Sequence, residues 1–134
     1  MLMDEISAVP SADAWLKAAK ADAAASGCGM FLLHNGVVRR SAKARVRHGE
    51  NEAKDVVGMR FSYDRDKTEA AIARTLALDG ISIVRVWMNE GELRVGDDIM
   101  YVLIGGDIRP RVVDALQFLV GTLKEECVTE TELY

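Results

Sequence analysis

Two arginines at a strand-to-helix junction are the first residues whose types and spacing could do chemistry. Arg109 and Arg111 follow Gly105-Gly106-Asp107, just after an apolar run that is typical of a buried strand. The first N–H groups of a helix lack partners within the helix and carry partial positive charge. The junction is therefore a candidate binding site for an anionic group. The alternative is an ordinary helix start with two solvated arginines, and these residues alone leave both interpretations open.

A second basic group lies between Arg39 and Lys54, where Val46 is the only sizeable apolar side chain. Its cations and neighbouring imidazole are Arg39, Arg40, Lys43, Arg45, Arg47 and His48. This composition predicts a mobile basic loop over residues 39–55, suited to an anionic small molecule or an acidic partner surface. A loop of this length is uncommon in a compact domain unless it is functional or disordered, so a solvated connection is the open alternative.

Composition excludes several classes of protein. The net charge of −4 argues against a general nucleic-acid surface, and no apolar stretch approaches the roughly 20 residues that span a bilayer. The first residues lack a secretory pattern, so we expect a cytoplasmic protein. Cys28 and Cys127 form no Cys-x-x-Cys pair, so we expect no metal site and no cofactor. His34 interrupts an apolar run, and we assign it no role.

Hydrophobic periodicity predicts one α+β domain over residues 1–134. We expect a mixed sheet with helices on one face, a central strand at Ile99–Ile104, and a C-terminal tail from residue 125. Asp107 is the predicted cap of the last helix. The other predicted elements are helices at 11–25 and 67–78, strands at 30–38, 56–63 and 81–88, and a short extended piece at 93–95.

Four segments resemble the large, catalytic subunit of molybdopterin synthase. Phe31-Leu-Leu-His-Asn-Gly-Val-Val-Arg39 looks like that family's Phe-x-Gly-x-Val-Arg strand, with His34 in place of the phenylalanine. Met59-Arg-Phe-Ser-Tyr-Asp64 is similar to its Leu-x-Tyr-Glu-x-Tyr strand. Gly91-Glu-Leu-Arg-Val-Gly-Asp-Asp-Ile99 matches its Gly-x-Leu-x-x-Gly-(Asp/Glu) turn, and Val113 to Lys124 resembles its Phe-Glu-Ala…Leu-Lys helix. The resemblance covers roughly residues 29–124.

The resemblance implies an α/β-hammerhead fold, a homodimer, and a ubiquitin-like small subunit whose C-terminal Gly-Gly thiocarboxylate donates sulfur. The implied substrate is cyclic pyranopterin monophosphate, a pterin phosphate that becomes the dithiolene of molybdopterin. Arg39 and Arg109 match the family's anion-binding arginines, and Arg111 lies beside Arg109. Lys124 matches the catalytic lysine. These residues supply the fixed cations and the proton donor or nucleophile that the chemistry requires.

The sequence also departs from the family pattern elsewhere, and Met88-Asn89 stands where the family has a His-Arg pair before the Gly-x-Leu turn. Ile108 replaces the histidine of the family's His-Arg pair at the start of the final helix, and Thr131 stands where a second lysine is expected. Two interpretations therefore remain open. The chain is either a sulfurtransferase with a rebuilt site, or a non-catalytic paralogue that acts as a dimeric binding module.

The position of Lys124 on the last predicted helix bears on this choice. It continues an inward-facing stripe at helical spacing, formed by Val113, Gln117 and Val120. We expect the neighbouring carboxylates of Glu125 and Glu126 to hold the lysine in its charged form. A helix-end lysine that complements the helix dipole is the alternative role.

Overall fold

The computed structural model describes residues 9–49 and 54–134. Residues 1–8 and 50–53, and the side chains of Arg45 and His48 from the predicted basic loop, lie outside the described part. The elements in chain order are α1 (Ala12–Ala21), β1 (Met30–Val37), α2 (Lys43–His48), β2 (Gly58–Tyr63), α3 (Arg65–Leu76), β3 (Ile81–Met88), β4 (Gly91–Arg94), β5 (Asp98–Gly106), α4 (Arg109–Thr122) and β6 (Val128–Leu133). A 3₁₀ turn (Ala23–Gly27) follows α1, and a π turn (Leu123–Cys127) joins α4 to β6.

The first sheet has the strand order β1-β5-β3, with both pairings antiparallel. Its middle strand, β5, contains the apolar run at residues 99–104, so the predicted central strand is confirmed. Alternate β5 side chains face opposite sides of the sheet. Val102 and Ile104 lie in the main core with α3 and α4, whereas Leu103 packs in a second cluster on the other face.

Helix α1 covers this second face. Its Trp15 is buried and makes an edge contact with Tyr101 at a ring-centroid distance of 5.8 Å, and Tyr101 makes a similar contact with Trp87. The helices therefore lie on both faces of the first sheet, and the expectation of helices on one face is wrong. The reason is that the tryptophan on α1 and the aromatic residues of the sheet bury each other, a pairing that helical periodicity does not reveal.

The second sheet has the order β4-β2-β6, again antiparallel. The α+β class is confirmed, but the described strands form two antiparallel sheets where we expected one mixed sheet. Strand β6 also replaces the predicted C-terminal tail. Its residues pair with β2 from Gly58↔Leu133 to Tyr63↔Val128, which satisfies backbone groups that a free tail would leave to water.

The segment after β1 contains helix α2, so the prediction of a loop over 39–55 is wrong for residues 43–48. Three contacts order the segment. Ala42 is fully buried, the Lys43 N–H donates to the Glu132 carboxylate at 2.9 Å, and the Val56 N–H donates to the Arg40 carbonyl at 2.7 Å. The basic composition does not indicate these interactions, because they depend on burial and on two residues outside the basic run, Val56 and the distant Glu132.

The junction between β5 and α4 differs in one detail from the prediction. Ile108, not Asp107, is the N-cap residue of α4, and its side chain makes no capping hydrogen bond. The Asp107 carboxylate instead accepts the N–H of Ile108 and a hydrogen bond from Arg111. Pro110 falls in the first turn of the helix, as expected from its missing N–H. Across the described residues, no helix is long and apolar enough to cross a membrane.

Candidate active site

A surface cleft of about 370 Å³ lies where the two sheets and helix α2 meet. Four of its lining residues are cations, namely Arg39, Lys43, Arg47 and Lys124. Glu130 and Glu132 are the acidic lining residues. The rest of the lining comes from Val37, Met59, Ile99, Thr131 and Tyr134. The cleft therefore gathers cations from two segments that are distant in sequence, residues 39–47 and the π turn after α4.

Arg39 reaches the cleft because both backbone polar groups of the preceding residue, Val38, are hydrogen-bonded to the turn between β4 and β5. Val38 is buried, its N–H donates to the Asp97 carbonyl, and its own carbonyl accepts the N–H of Gly96. Arg39 then follows with its Nε donating to the Ser41 carbonyl at 2.8 Å. This hydrogen bond occupies one of the five guanidinium N–H donors, so the remaining donors can bind an anion.

Lys124 lies in the π turn that ends α4. The preceding Leu123 is fully buried and fixes the turn against the core, while the Lys124 side chain is 37% exposed. Its Nζ forms an ion pair with the Glu130 carboxylate on β6. The carboxylate that pairs with Lys124 is therefore on β6, whereas the expectation concerned the effect of its sequence neighbours Glu125 and Glu126. Glu126 pairs instead with Arg74 at 3.4 Å, because the π turn points it toward α3.

Glu130 falls in the predicted tail, where the sequence indicates only that its charge, with those of Glu125, Glu126 and Glu132, would repel a dianionic substrate. Its side chain is only 10% exposed, and Lys43 approaches its second oxygen at 3.8 Å. One carboxylate thus lies between two ammonium groups. The signal that could have found it is the alternation in Thr129-Glu-Thr-Glu132, which is a strand pattern with one residue type on each face.

Arg109 and Arg111 do not line the cleft. They lie at the start of α4, where Arg111 forms an ion pair with Asp107 at 2.8 Å. Gly80 also lies against this pair, and a Cβ atom there would come within 2.7 Å of Arg111 Cδ. Within one chain, the structure therefore brings Arg39 and Lys124 together and does not bring the two α4 arginines to them.

His34 lies on β1 and lines a shallow groove of about 320 Å³ with Leu116, Gln117 and Val120 of α4. Burial lowers the pKa of His34 from its ordinary value of 6.5, and the positive charge of Lys124 lowers it further. A neutral imidazole near Lys124 is the result. The predicted inward-facing stripe is wrong, because Gln117 is exposed and the buried side chains of α4 are instead those of Val112, Ala115 and Leu119.

Neither cysteine takes part in the cleft. Cys127 is buried in the main core, where burial raises the pKa of its thiol, and Cys28 is half-buried beside the first sheet. Among the described residues, no group of three or more His, Cys, Asp or Glu side chains is arranged to hold a metal ion. The described lining of the cleft presents guanidinium, ammonium, carboxylate and hydroxyl groups.

The fold is shared with solved structures of molybdopterin biosynthesis proteins. Molybdopterin cofactor biosynthesis protein E from Burkholderia multivorans has a TM-score of 0.70 and 20% identity, covering 98% of this chain and 86% of that chain. A complex of subunits 1 and 2 of the molybdopterin-converting factor from Helicobacter pylori gives 0.68 and 16%, covering 100% and 90%. Molybdopterin synthase from Staphylococcus aureus gives 0.61 and 14%, covering 80% and 75%.

No curated protein sequence matches the chain at a significant level. The low identities to the solved structures show a common fold and no more. The family model described as MoaE protein, however, matches residues 11–126, which is most of the 134-residue chain and includes both Arg39 and Lys124. The chain therefore belongs to the MoaE protein family, that of the molybdopterin synthase large subunit, and is a divergent member of it.

Proposed function

We propose that this protein acts in molybdenum cofactor biosynthesis as the large subunit of a molybdopterin synthase. The reaction is sulfur transfer from a thiocarboxylated small subunit to cyclic pyranopterin monophosphate. The observation that carries the proposal is that Arg39 and Lys124 line one cleft. These two residues match the family's anion-binding and catalytic positions, and they lie in distant parts of the sequence, Arg39 just after β1 and Lys124 in the π turn after α4.

The cleft residues suit a phosphate-bearing substrate. Arg39 can hold the phosphate by charge-assisted hydrogen bonds, and Arg47 and Lys43 of α2 add positive charge at the same cleft. Lys124 is placed to hold or move a proton as sulfur adds to the pterin carbons. A cleft of about 370 Å³ also falls within the size range of small-molecule sites.

The sulfur donor in this proposal is the C-terminal Gly-Gly thiocarboxylate of a ubiquitin-like small subunit. The Helicobacter pylori structure, a complex of two subunits of the molybdopterin-converting factor, supports a partner of this kind. In this chain, Val37 and Tyr134 line the cleft and are exposed, so they offer apolar surface to an incoming tail. Two glycines are narrow enough to pass between side chains that would block a larger residue.

A homodimer completes the proposal, because Arg109 and Arg111 lie outside the cleft of their own chain. If they bind the substrate, a second copy must bring its α4 start to the cleft. Light scattering at micromolar concentration should give about twice the chain mass of 14.7 kDa. A mass of one chain would contradict the dimer and remove both arginines from the proposed substrate site.

The decisive experiment is reconstitution with a thiocarboxylated small subunit and cyclic pyranopterin monophosphate, with dithiolene formation as the readout. We expect Lys124→Ala to abolish product formation and Arg39→Ala to raise KM. Lys17→Ala, which removes an exposed lysine on α1, serves as the matched control and should behave as wild type. A fully active Lys124→Arg protein would contradict proton transfer by Lys124, since a guanidinium stays charged at any working pH.

A non-catalytic binding module is the second candidate. Ile108 and Thr131 favour it, because they remove an imidazole and a cation that the family uses, and Glu130 neutralises part of the remaining charge. This candidate predicts that the wild-type protein binds the small subunit and forms no dithiolene at any enzyme concentration. Binding measured by calorimetry alongside the product assay distinguishes the two functions.

A further inference from the structure

Glu130 contacts both ammonium groups of the cleft. Its Oε1 pairs with Lys124 Nζ, and its Oε2 lies 3.8 Å from Lys43 Nζ. The carboxylate thus occupies the place between two cations that the anionic group of a ligand would otherwise take. Its 10% exposure separates it from an ordinary surface pair such as Arg60–Glu92, in which both side chains are more than half exposed.

The register of the second sheet holds Glu130 in this position. Glu130 lies opposite Phe61 in the antiparallel β2–β6 pair, and directly opposite residues point to the same face of a sheet. Phe61 is almost fully buried, so Glu130 is aimed at the inner side of the sheet. The register fixes the face of the sheet to which Glu130 points, and within the cleft the side chain can still change rotamer.

Glu132 points to the same face of the sheet as Glu130 but has different hydrogen-bond partners. Its carboxylate accepts the N–H of Lys43 at the start of α2 and the hydroxyl of Tyr134 at 3.1 Å. It therefore holds the backbone of α2 and the C-terminal residue. Of the two glutamates that line the cleft, Glu130 is the one paired with the side chains of Lys43 and Lys124.

We propose that Glu130 is an internal competitor for the anion site of the cleft and sets how tightly this protein binds a phosphate group. The proposal rests on the proposed function only in assigning that phosphate to the substrate. A phosphate that enters the cleft must replace Glu130 as the partner of Lys43 and Lys124, or bind while repelled by it. Either effect weakens phosphate binding, and neither remains when the carboxylate is replaced by an uncharged amide of the same shape.

The test compares wild type with Glu130→Gln, using inorganic phosphate as the probe at low ionic strength and calorimetry as the readout. A unit charge at contact distance alters an exposed interaction by a factor of about five, and by more where the site is shielded from water. We therefore expect Glu130→Gln to bind phosphate at least about fivefold more tightly than wild type. Glu92→Gln, which breaks the exposed pair on the same sheet, is the matched control and should leave the affinity unchanged.

The opposite result would overturn the proposal. If Glu130 served only to position the two lysines, Glu130→Gln would bind phosphate more weakly than wild type, and unchanged affinity would equally contradict competition. Adding Lys124→Ala to Glu130→Gln should abolish the gain, because the freed cation is then absent. None of these measurements uses sulfur transfer, so a failure of the proposed reaction would leave this result standing, and the reverse also holds.

A measurement on the wild-type protein covers the case in which Glu130→Gln does not fold. Phosphate should slow the reaction of both Lys43 and Lys124 with an amine-selective reagent, followed by peptide mapping, and chloride at equal ionic strength should not. Lys17, exposed on α1, reports the general effect of the buffer. Protection of neither cleft lysine would overturn the assignment of the anion position between them.

Discussion

Replacing Gly106 by alanine tests how closely the end of β5 packs against its neighbours. A Cβ atom at this position would lie 2.7 Å from the Gly80 carbonyl oxygen and 2.7 Å from Val112 Cγ2. Both distances are shorter than real Cβ contacts allow, and the oxygen belongs to the backbone, which cannot simply rotate away. That same carbonyl accepts the Asp107 N–H at 2.9 Å, so relieving the contact also strains a hydrogen bond at the junction.

Overpacking of this kind destabilises proteins by about 1–3 kcal/mol. With a urea m-value of about 2 kcal/mol per molar, a loss of about 2 kcal/mol lowers the unfolding midpoint by roughly 1 M. The matched control is Gly121→Ala in α4, where a Cβ atom would meet nothing within 4 Å. Alanine is favoured over glycine in a helix by about 0.5–1 kcal/mol, so this variant should be more stable than wild type.

Urea unfolding at 25 °C, followed by tryptophan fluorescence, measures both variants under the same conditions. The two glycine-to-alanine changes should move the unfolding midpoint in opposite directions. A Gly106→Ala protein as stable as wild type would show that the junction has room for a side chain. The close approach of Gly80 and Val112 to the end of β5 would then be refuted.

Two further predictions concern charged groups of the described chain. A double-mutant cycle on Lys124 and Glu130 should give a coupling free energy of about 1 kcal/mol. The same cycle on the exposed pair Arg60–Glu92 should give a smaller value, about 0–0.5 kcal/mol. Equal coupling free energies would contradict the shielding of Glu130. Because the pKa of His34 is lowered below 6.5, the unfolded chain binds a proton before the folded chain does as the pH falls. The free energy of unfolding should therefore decrease from about pH 6.5 downward, and His34→Gln should remove this part of the decrease in urea titrations at several pH values.

Much of the fold could be predicted from hydrophobic pattern. Strand β3 has the predicted bounds, and β5 was recognised as central because its run of apolar residues requires cover on both faces. The sequence predicts the first helix at 11–25, but the side of the sheet on which it packs depends on the contact between Trp15 and Tyr101. That contact joins residues far apart in the sequence, and periodicity carries no information about it.

Strand β6 was missed for a different physical reason. Its sequence, Val128-Thr-Glu-Thr-Glu-Leu133, has apolar residues only at its ends. The polar residues between them are typical of a solvated tail. The strand forms because β2 offers an open edge of backbone donors and acceptors, and the pairing satisfies them. A polar strand whose stability comes from its partner's backbone leaves little trace in its own hydrophobic pattern.

The site residues likewise divide into those that the local sequence identifies and those whose position depends on distant parts of the chain. Arg39 and Lys124 could be found because each belongs to a segment that resembles the family, and the structure places both in one cleft. The pairing of Glu130 with Lys43 and Lys124 could not be predicted, because it depends on β6 pairing with β2 in a single register. A shift by one residue would place Thr131 toward Lys124 and send the carboxylate to solvent. The charge of the cleft, and with it the affinity for a phosphate group, is therefore set by a strand register that the sequence pattern of β6 alone does not specify.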